Sequence, residues 1–337
     1  MEIIKVSKKF NLFFLIIFTF LIVVGCSSND YESKEAEAEK EAEDFPNKTI
    51  TIYSPYSPGG YVDIITRVLA DGLEEELGVD VNVTDKSGGG GITAMTEITN
   101  QEPDGYTLSA ATDISHMHFE DVDYDINSFS YVSTMAYAHH PLMVREDSEW
   151  EDVDDLLEYA EENPGSLKWG SGGIVNPIVL AGRELFQDNN VDAKQVPYDG
   201  GAEVIEALLA DDIDMGIVAD FKSALDAGDI KLLAEATDEA DPNYPDVKTL
   251  EEEGLIEEGP PSSYGIVGPD EIPTKTLDKL NEAIETVINS EEYKEQLDEI
   301  GVEPFYKDSE EYEEIMVEED KRLEQVVPEY SEEGDDE

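Results

Sequence analysis

The stretch TITIYSPYSPGGYVDIITRVLADGLEEELGVDVNVT, residues 49–84, decides the fold. Residues 49–54 alternate as a half-buried strand does, and Val62, Ile65, Leu69, Leu73 and Leu77 then recur on one helical face. Residues 79–84 return to strand character. Strand, glycine-containing turn, amphipathic helix and strand make a βαβ unit, because parallel neighbours need a crossover connection.

The alternation continues outward. Residues 92–100 read as a helix and 106–110 as a strand; 167–170, 193–196 and 213–218 read as strands, with helices over 175–187 and 202–210. Such alternation defines an α/β fold with mostly parallel sheets covered on both faces. The C-terminal part is more helical. Pro273-Thr274 opens a run with Leu277, Leu280, Ile284 and Ile288, a second helix covers 291–300, and Asp308 with Glu311 suits a capping box before a third. Two segments read as crossings between lobes: residues 129–144, whose two strand-like halves flank His139-His140-Pro141, and residues 263–268. They predict one lobe from 45–144 plus 263–330 and a second from 145–262, with a central cleft between them. Clefts of this kind are the usual pockets of α/β proteins.

Charge excludes several functions. The 337 residues hold 21 Lys and Arg against 82 Asp and Glu, a formal charge of −61. Nucleic acid is excluded as a partner, since phosphate contacts require clustered basic residues. The acidic residues are interleaved with regular apolar positions, so a folded chain with a carboxylate-covered surface is expected. That composition suits salty surroundings, where a Debye length of ~3 Å at 1 M screens the self-repulsion.

The N-terminus reads as an export signal. Lys5, Lys8 and Lys9 precede an apolar run over residues 10–24, and Gly25-Cys26 follows. The run is short for a spanning helix, which needs ~20 residues. Val23-Val24-Gly25-Cys26 resembles the bacterial lipobox, so residues 1–25 are expected to be removed and Cys26 lipidated; a plain signal anchor is the alternative. Cys26 is the only cysteine, so no intrachain disulfide exists. Glu-rich residues 26–44 read as a flexible tether and 331–337 as a disordered tail.

Four glycine-rich turns each follow a predicted strand and precede a helix. They are Pro55-Tyr56-Ser57-Pro58-Gly59-Gly60, Ser87-Gly88-Gly89-Gly90-Gly91, Gly170-Ser171-Gly172-Gly173 and Pro197-Tyr198-Asp199-Gly200-Gly201. Glycine admits close backbone approach, and helix N-termini offer unpaired N–H groups with the positive dipole end. Converging on one cleft, such turns would hold carboxylates without arginine; taken singly, each could merely close a tight turn. Thr112, Asp113 and Asp220 near later strand ends, and Tyr61, Asp63 and Asn176 beside the turns, complete the candidate set. No dinucleotide fingerprint or P-loop is present.

These motifs resemble the solute receptors of tripartite tricarboxylate transporters, which include the Bordetella-type uptake receptors. The resemblance runs from about Phe45 to Val327. Besides the turns, it rests on Phe45-Pro46-Asn47-Lys48, Pro103-Asp104-Gly105-Tyr106-Thr107-Leu108, Asn163-Pro164-Gly165, Pro245-Asp246-Val247 with Thr249-Leu250, and Gly301-Val302-Glu303-Pro304. It implies a two-lobed, periplasmic-binding-protein-like fold of the type II, flytrap kind. It also implies a receptor that closes on a small di- or tricarboxylate, with amides of the first two loops holding one carboxylate. Tyr198 to Gly201 and the Ser171 loop would contribute from the other lobe. The implied partners are the organic acid and membrane permease subunits, with a sensing receptor of the same fold as the alternative; a monomer without cofactor is expected. The resemblance makes Asp63 a position that can meet an amine or amide, although it equally suits capping the helix that starts nearby.

The chain departs from the pattern at Tyr61 and Val62, where a glycine and a threonine are frequent, at Val175-Asn176, and at Ala94. Tyr61 could stack on a planar acid or only shield the loop. His116 and His118, and His139 with His140, offer zinc-type ligands beside Asp113 or Glu120, or else hydrogen-bonding groups of the cleft and hinge; the latter reading is preferred and no metal is expected. No G-x-S-x-G elbow occurs, and no enzyme activity is expected.

Overall fold

The computed structural model describes residues 44–331 apart from Ser57, Asp113 and Asp199. The signal segment, Cys26 and the tether up to residue 43 lie outside the described residues.

The first βαβ unit forms as its periodicity dictates. Strand β1 (Ile50–Ser54) leads into α1 (Tyr61–Leu77), and β2 (Val81–Asp85) returns parallel to β1. Helix α1 buries Ile65, Leu69 and Leu73, each worth about 1.5–3 kcal/mol against exposure. It stops on Gly78, whose φ of 67° favours glycine and whose N–H satisfies the Glu74 carbonyl at 3.1 Å. Next come α2 (Ile92–Ile98), β3 (Thr107–Ala111), the short α3 (His116–Phe119) and β4 (Phe129–Tyr137).

The chain then enters a second sheet. Strand β5 (Pro141–Arg145) is followed by α4 (Val153–Glu162), β6 (Lys168–Gly172), α5 (Pro177–Asp188), β7 (Lys194–Tyr198), α6 (Gly201–Leu209), β8 (Met215–Ile217), α7 (Lys222–Ala227) and β9 (Ile230–Glu235). It returns through β10 (Ser263–Pro269), α8 (Thr274–Asn289), α9 (Glu291–Ile300), β11 (Glu303–Pro304) and α10 (Ser309–Ser331). The expected capping box is present at α10: Asp308 Oδ1 accepts from Glu311 N at 3.0 Å and Glu311 Oε2 from Asp308 N at 3.4 Å.

The sheets have orders β11-β4-β10-β3-β1-β2 and β7-β6-β8-β5-β9. Both are mixed, not mostly parallel, because the strand that follows each crossing runs against its neighbours: β10 is antiparallel to β3 and β4, and β5 to β8 and β9. The first crossing is also shorter than expected. Residues 141–145 pair in the second sheet, so the chain crosses at residues 138–140 and not after Val144. The two crossing segments lie side by side, with Ala138 N donating to Ser262 O at 3.0 Å. At the C-terminus, Ser331 closes α10 and so belongs to the helix, not to the expected tail.

Each sheet has its own core. Ile50, Ile52, Leu69, Leu280 and Ile284 pack together in the first lobe, and Leu142, Trp169, Leu185 and Met215 in the second. The lobes touch, since Ala219 from the second lobe packs within the first lobe's core. Among the described residues no helix is long and apolar enough to cross a membrane.

Candidate functional site

Three helix N-termini meet at a cleft of about 510 Å³ between the sheets. Helix α1 starts there at Gly60, α5 at Asn176 and α6 at Gly200. A helix leaves its first N–H groups without intrahelical partners and carries about half a positive charge at that end. Neither Gly60 nor Gly200 supplies a side-chain cap. Asn176 does cap its own helix, its Oδ1 accepting from Val179 N at 2.9 Å. Among the described residues no Lys or Arg lines the cleft. The wall is therefore anion-attracting through backbone, not through cationic side chains.

The turns are held rigid from behind. Gly59 has a φ of 82°, and its N–H donates to Asp63 Oδ2 at 2.9 Å. Arg67 clamps the same carboxylate through Nε and Nη2, both at 2.8 Å. Burial pushes the Asp63 carboxyl up, but Arg67 and the Gly59 amide outweigh it and hold the group below its usual range. In the second lobe Gln195 Nε2 donates to Ser171 Oγ at 2.9 Å and to Ile174 O at 3.0 Å, while Arg183 Nη2 donates to Gln195 Oε1 at 2.8 Å. Ser171 Oγ donates in turn to Gly173 O at 3.1 Å, and Asn176 Nδ2 to Gly172 O at 2.8 Å. The hydroxyl of Ser171 and the amide of Asn176 thus shape their loop.

Of the residues read from the sequence, Gly60, Tyr61, Thr112, Ser171, Gly172, Asn176, Gly200, Gly201 and Asp220 line the cleft. Ser57, Asp113 and Asp199 lie outside the described residues. Pro58 and Gly59, exposed members of the first turn, and the buried Asp63 are not part of the wall. Gly88, Gly89, Gly90 and Gly91 do not line it either. Strand β2 is the outer edge of its sheet, so the turn that follows it lies one strand away from the second lobe, whereas β1 and β3 are interior. Tyr198 likewise stands on an edge strand, and its ring faces inward near Gly170. Tyr61 lines the cleft with its hydroxyl donating to Ile300 O at 3.2 Å and its ring edge-on to Tyr264, which favours the shielding role over a free stacking face.

Sequence reasoning missed Tyr56, Ser262 and Tyr264 in the lining. Tyr56 and Thr112 share a hydrogen bond of 3.1 Å between their hydroxyls across the first lobe's wall. His140 enters the cleft and His139 the hinge behind it, as the hydrogen-bonding reading of that pair expected. Among the described residues no three His, Cys, Asp or Glu are grouped to hold a metal; His118 pairs instead with Asp320 at 2.9 Å.

Asp220, Glu203 and His140 are the titratable acid and imidazole groups of the lining. Asp220 stands against the start of α6, where a Cβ on Gly201 would overlap its carboxylate, and burial raises its proton affinity. His140 Nδ1 lies 3.1 Å from Ala138 O, an atom that only accepts, so this nitrogen carries the proton. Burial pushes the His140 ring down to about 4, so it is neutral at pH 7 and its Nε2 is an acceptor.

Two α/β lobes, joined by paired crossing segments and facing each other across a cleft of helix N-termini, define a solute-binding protein. The chain belongs to the tripartite tricarboxylate transporter family of receptors, whose pattern matches residues 65–331. A Cupriavidus necator protein, the UPF0065 protein in the gbd 5' region, is 29% identical over 298 residues, covering 86% of this chain and 90% of that protein. Among solved structures, one described as a periplasmic transporter is 28% identical with a TM-score of 0.75, covering 84% of this chain and 97% of that one. Rpa4515 of R. palustris, solved with adipate, is 26% identical with a TM-score of 0.74 and the same coverage.

Proposed function

We propose that this chain is an exported lipoprotein, anchored through Cys26, that captures a small carboxylated organic acid and presents it to membrane permease subunits. The observation that carries the reading is the meeting of α1, α5 and α6 N-termini on a cleft that no Lys or Arg among the described residues lines. Such a wall suits a carboxylate at its helix ends. Binding by both lobes favours a closed form over an open one, and the permease reads the closed surface. The adipate bound by Rpa4515 supports a carboxylate ligand. Gly60, Tyr61 and Thr112 act from the first lobe, and Ser171 to Gly172, Gly200, Gly201 and Asp220 from the second. The acidic surface is read as an adaptation to salty surroundings, and the receptor as a monomer.

The test is a thermal-shift and calorimetric screen of organic acids at low salt and at ~1 M salt. A specific acid at ~100 times its dissociation constant adds about 2.7 kcal/mol of stability. Its affinity holds or rises with salt, because amide dipoles act at contact range while the repulsive field of the surface is screened. A steep loss of affinity with salt, as exposed Lys and Arg would give, refutes the reading.

A further inference from the structure

The ionic character of the cleft is asymmetric, and the asymmetry bears on which acids fit. Resting on the receptor reading above, we propose that the solute carries, besides its carboxylate, a hydroxyl or amino group that donates to Asp220, with His140 Nε2 as a second acceptor. Three observations converge. Asp220 lines the cleft and touches the start of α6, so a ligand carboxylate bound at that helix end comes close to it. Among the described residues none donates a hydrogen bond to the Asp220 carboxylate, and partial burial raises its proton affinity. Asp220 is half-buried, so its carboxylate is only partly hydrated, and a ligand that supplies a donor gains a hydrogen bond to a charged group there. His140 has its single proton committed to the Ala138 carbonyl, so its other nitrogen adds a further acceptor to the same cleft. A bare dicarboxylate brings only acceptors to these groups. A hydroxy or amino acid matches both halves: its carboxylate meets the amides, and its donor meets Asp220.

Matched acids decide the matter. Succinate, malate and aspartate, and the corresponding propionate, lactate and alanine set, are titrated by calorimetry into the wild-type chain and Asp220→Asn. The wild-type protein is expected to bind a hydroxyl- or amino-bearing member of a set about tenfold or more tightly than the bare acid, the scale of one hydrogen bond to a charged group. In Asp220→Asn, whose amide can donate, the preference collapses and bare dicarboxylate binding improves. That gain cannot come from misfolding, and the wild-type ranking stands on its own if the variant is unstable. Bare acids binding the wild type as tightly as their substituted partners overturn the proposal, as does a preference that survives in Asp220→Asn. Failure of every acid to bind removes the receptor reading itself, an outcome distinct from loss of the preference.

Discussion

Asp63 offers the sharpest separation between a support of the site and a contact of the ligand. Its carboxylate is 2% exposed and accepts three hydrogen bonds, two from Arg67 and one from Gly59 N, whereas Arg67 is 46% exposed. Hydrogen bonds to a charged group are worth about 1.5–3 kcal/mol each when neither partner reaches water. Water can replace the carboxylate around the half-exposed guanidinium, so most of the loss falls on the Gly59 amide and on the clamp's charge. Asp63→Asn keeps an acceptor for Gly59 and gives up the ion pair. We expect it to destabilise the unliganded protein by about 1–2 kcal/mol, a few degrees in Tm. In a double-mutant cycle with Arg67→Met, measured by urea unfolding, the pair should couple by roughly 1 kcal/mol. The sign with pH follows from the direction of the Asp63 shift. A carboxyl held below its usual range adds stability above its unfolded pKa of ~3.9, and that stability is lost as pH falls through the folded value. The gap between wild type and Asp63→Asn should therefore close in acid. Affinity should drop alike for amino-bearing and bare acids, since the carboxylate faces Arg67 and not the cleft. A selective loss of amino-bearing ligands, with stability unchanged, would refute this reasoning.

Two further outcomes follow from the hinge and the second lobe. Glu235 is buried at the end of β9, where desolvation lifts it to about 7, and faces His139 at 3.9 Å with Thr237, Asp241, Glu303 and Tyr137 around the pair. Burial pulls His139 down, but Glu303, Glu235 and Asp241 raise it above its ordinary value. Both groups hold protons more tightly when folded, so the stability they add is present below their unfolded values and is lost as pH rises through the folded ones. Tm should fall between about pH 5 and 8, and Glu235→Gln should flatten that slope; a parallel profile for the variant counts against it. Gln195→Ala removes the brace on Ser171 and Ile174 without touching the lining, and should weaken acid binding several-fold in calorimetry with a small loss of stability. Unchanged affinity would mean that the loop holds its shape unaided.

The fold was legible wherever a periodic apolar face ran long enough to exceed the acidic background. Val62, Ile65, Leu69 and Leu73 mark α1, and Leu280, Ile284 and Ile288 mark α8, because their burial forces the spacing. Helix α4 has an equally regular stripe at Val153, Leu156, Leu157 and Ala160, but only ten residues long and set among Asp and Glu, it did not stand out. Strand β9, with Lys231 inside it and an edge position, also gave no alternation to read. The sheet to which residues 141–145 belong is a matter of nonlocal pairing that local pattern does not encode. The same holds for the site. Glycine turns could be recognised singly, yet only strand order separates the turn after interior β1 from the turn after edge β2, and so Gly60 from Gly88. Ser262 and Tyr264 reach the cleft because the returning segment lies beside the first crossing, a contact between residues more than a hundred positions apart in sequence.

A chain with a formal charge of −61 that binds an anion looks contradictory until the ranges of the forces are compared. Surface carboxylates act on an approaching solute through water, and at ~0.1 M salt their field decays over about 10 Å. Inside the cleft the relevant charges are fixed and close: three helix ends of about half a unit each against the carboxyls of Asp220 and Glu203. That set leaves no positive charge over, so the first ligand carboxylate relies on direct contact with the helix-end amides, and a second has no cationic side chain among the described residues to meet. That balance limits how much negative charge the solute can carry into the closed cleft. A donor placed beside Asp220 relieves that limit without adding charge, which is why the polarity of the far wall, more than the anion-attracting turns, is expected to choose among acids.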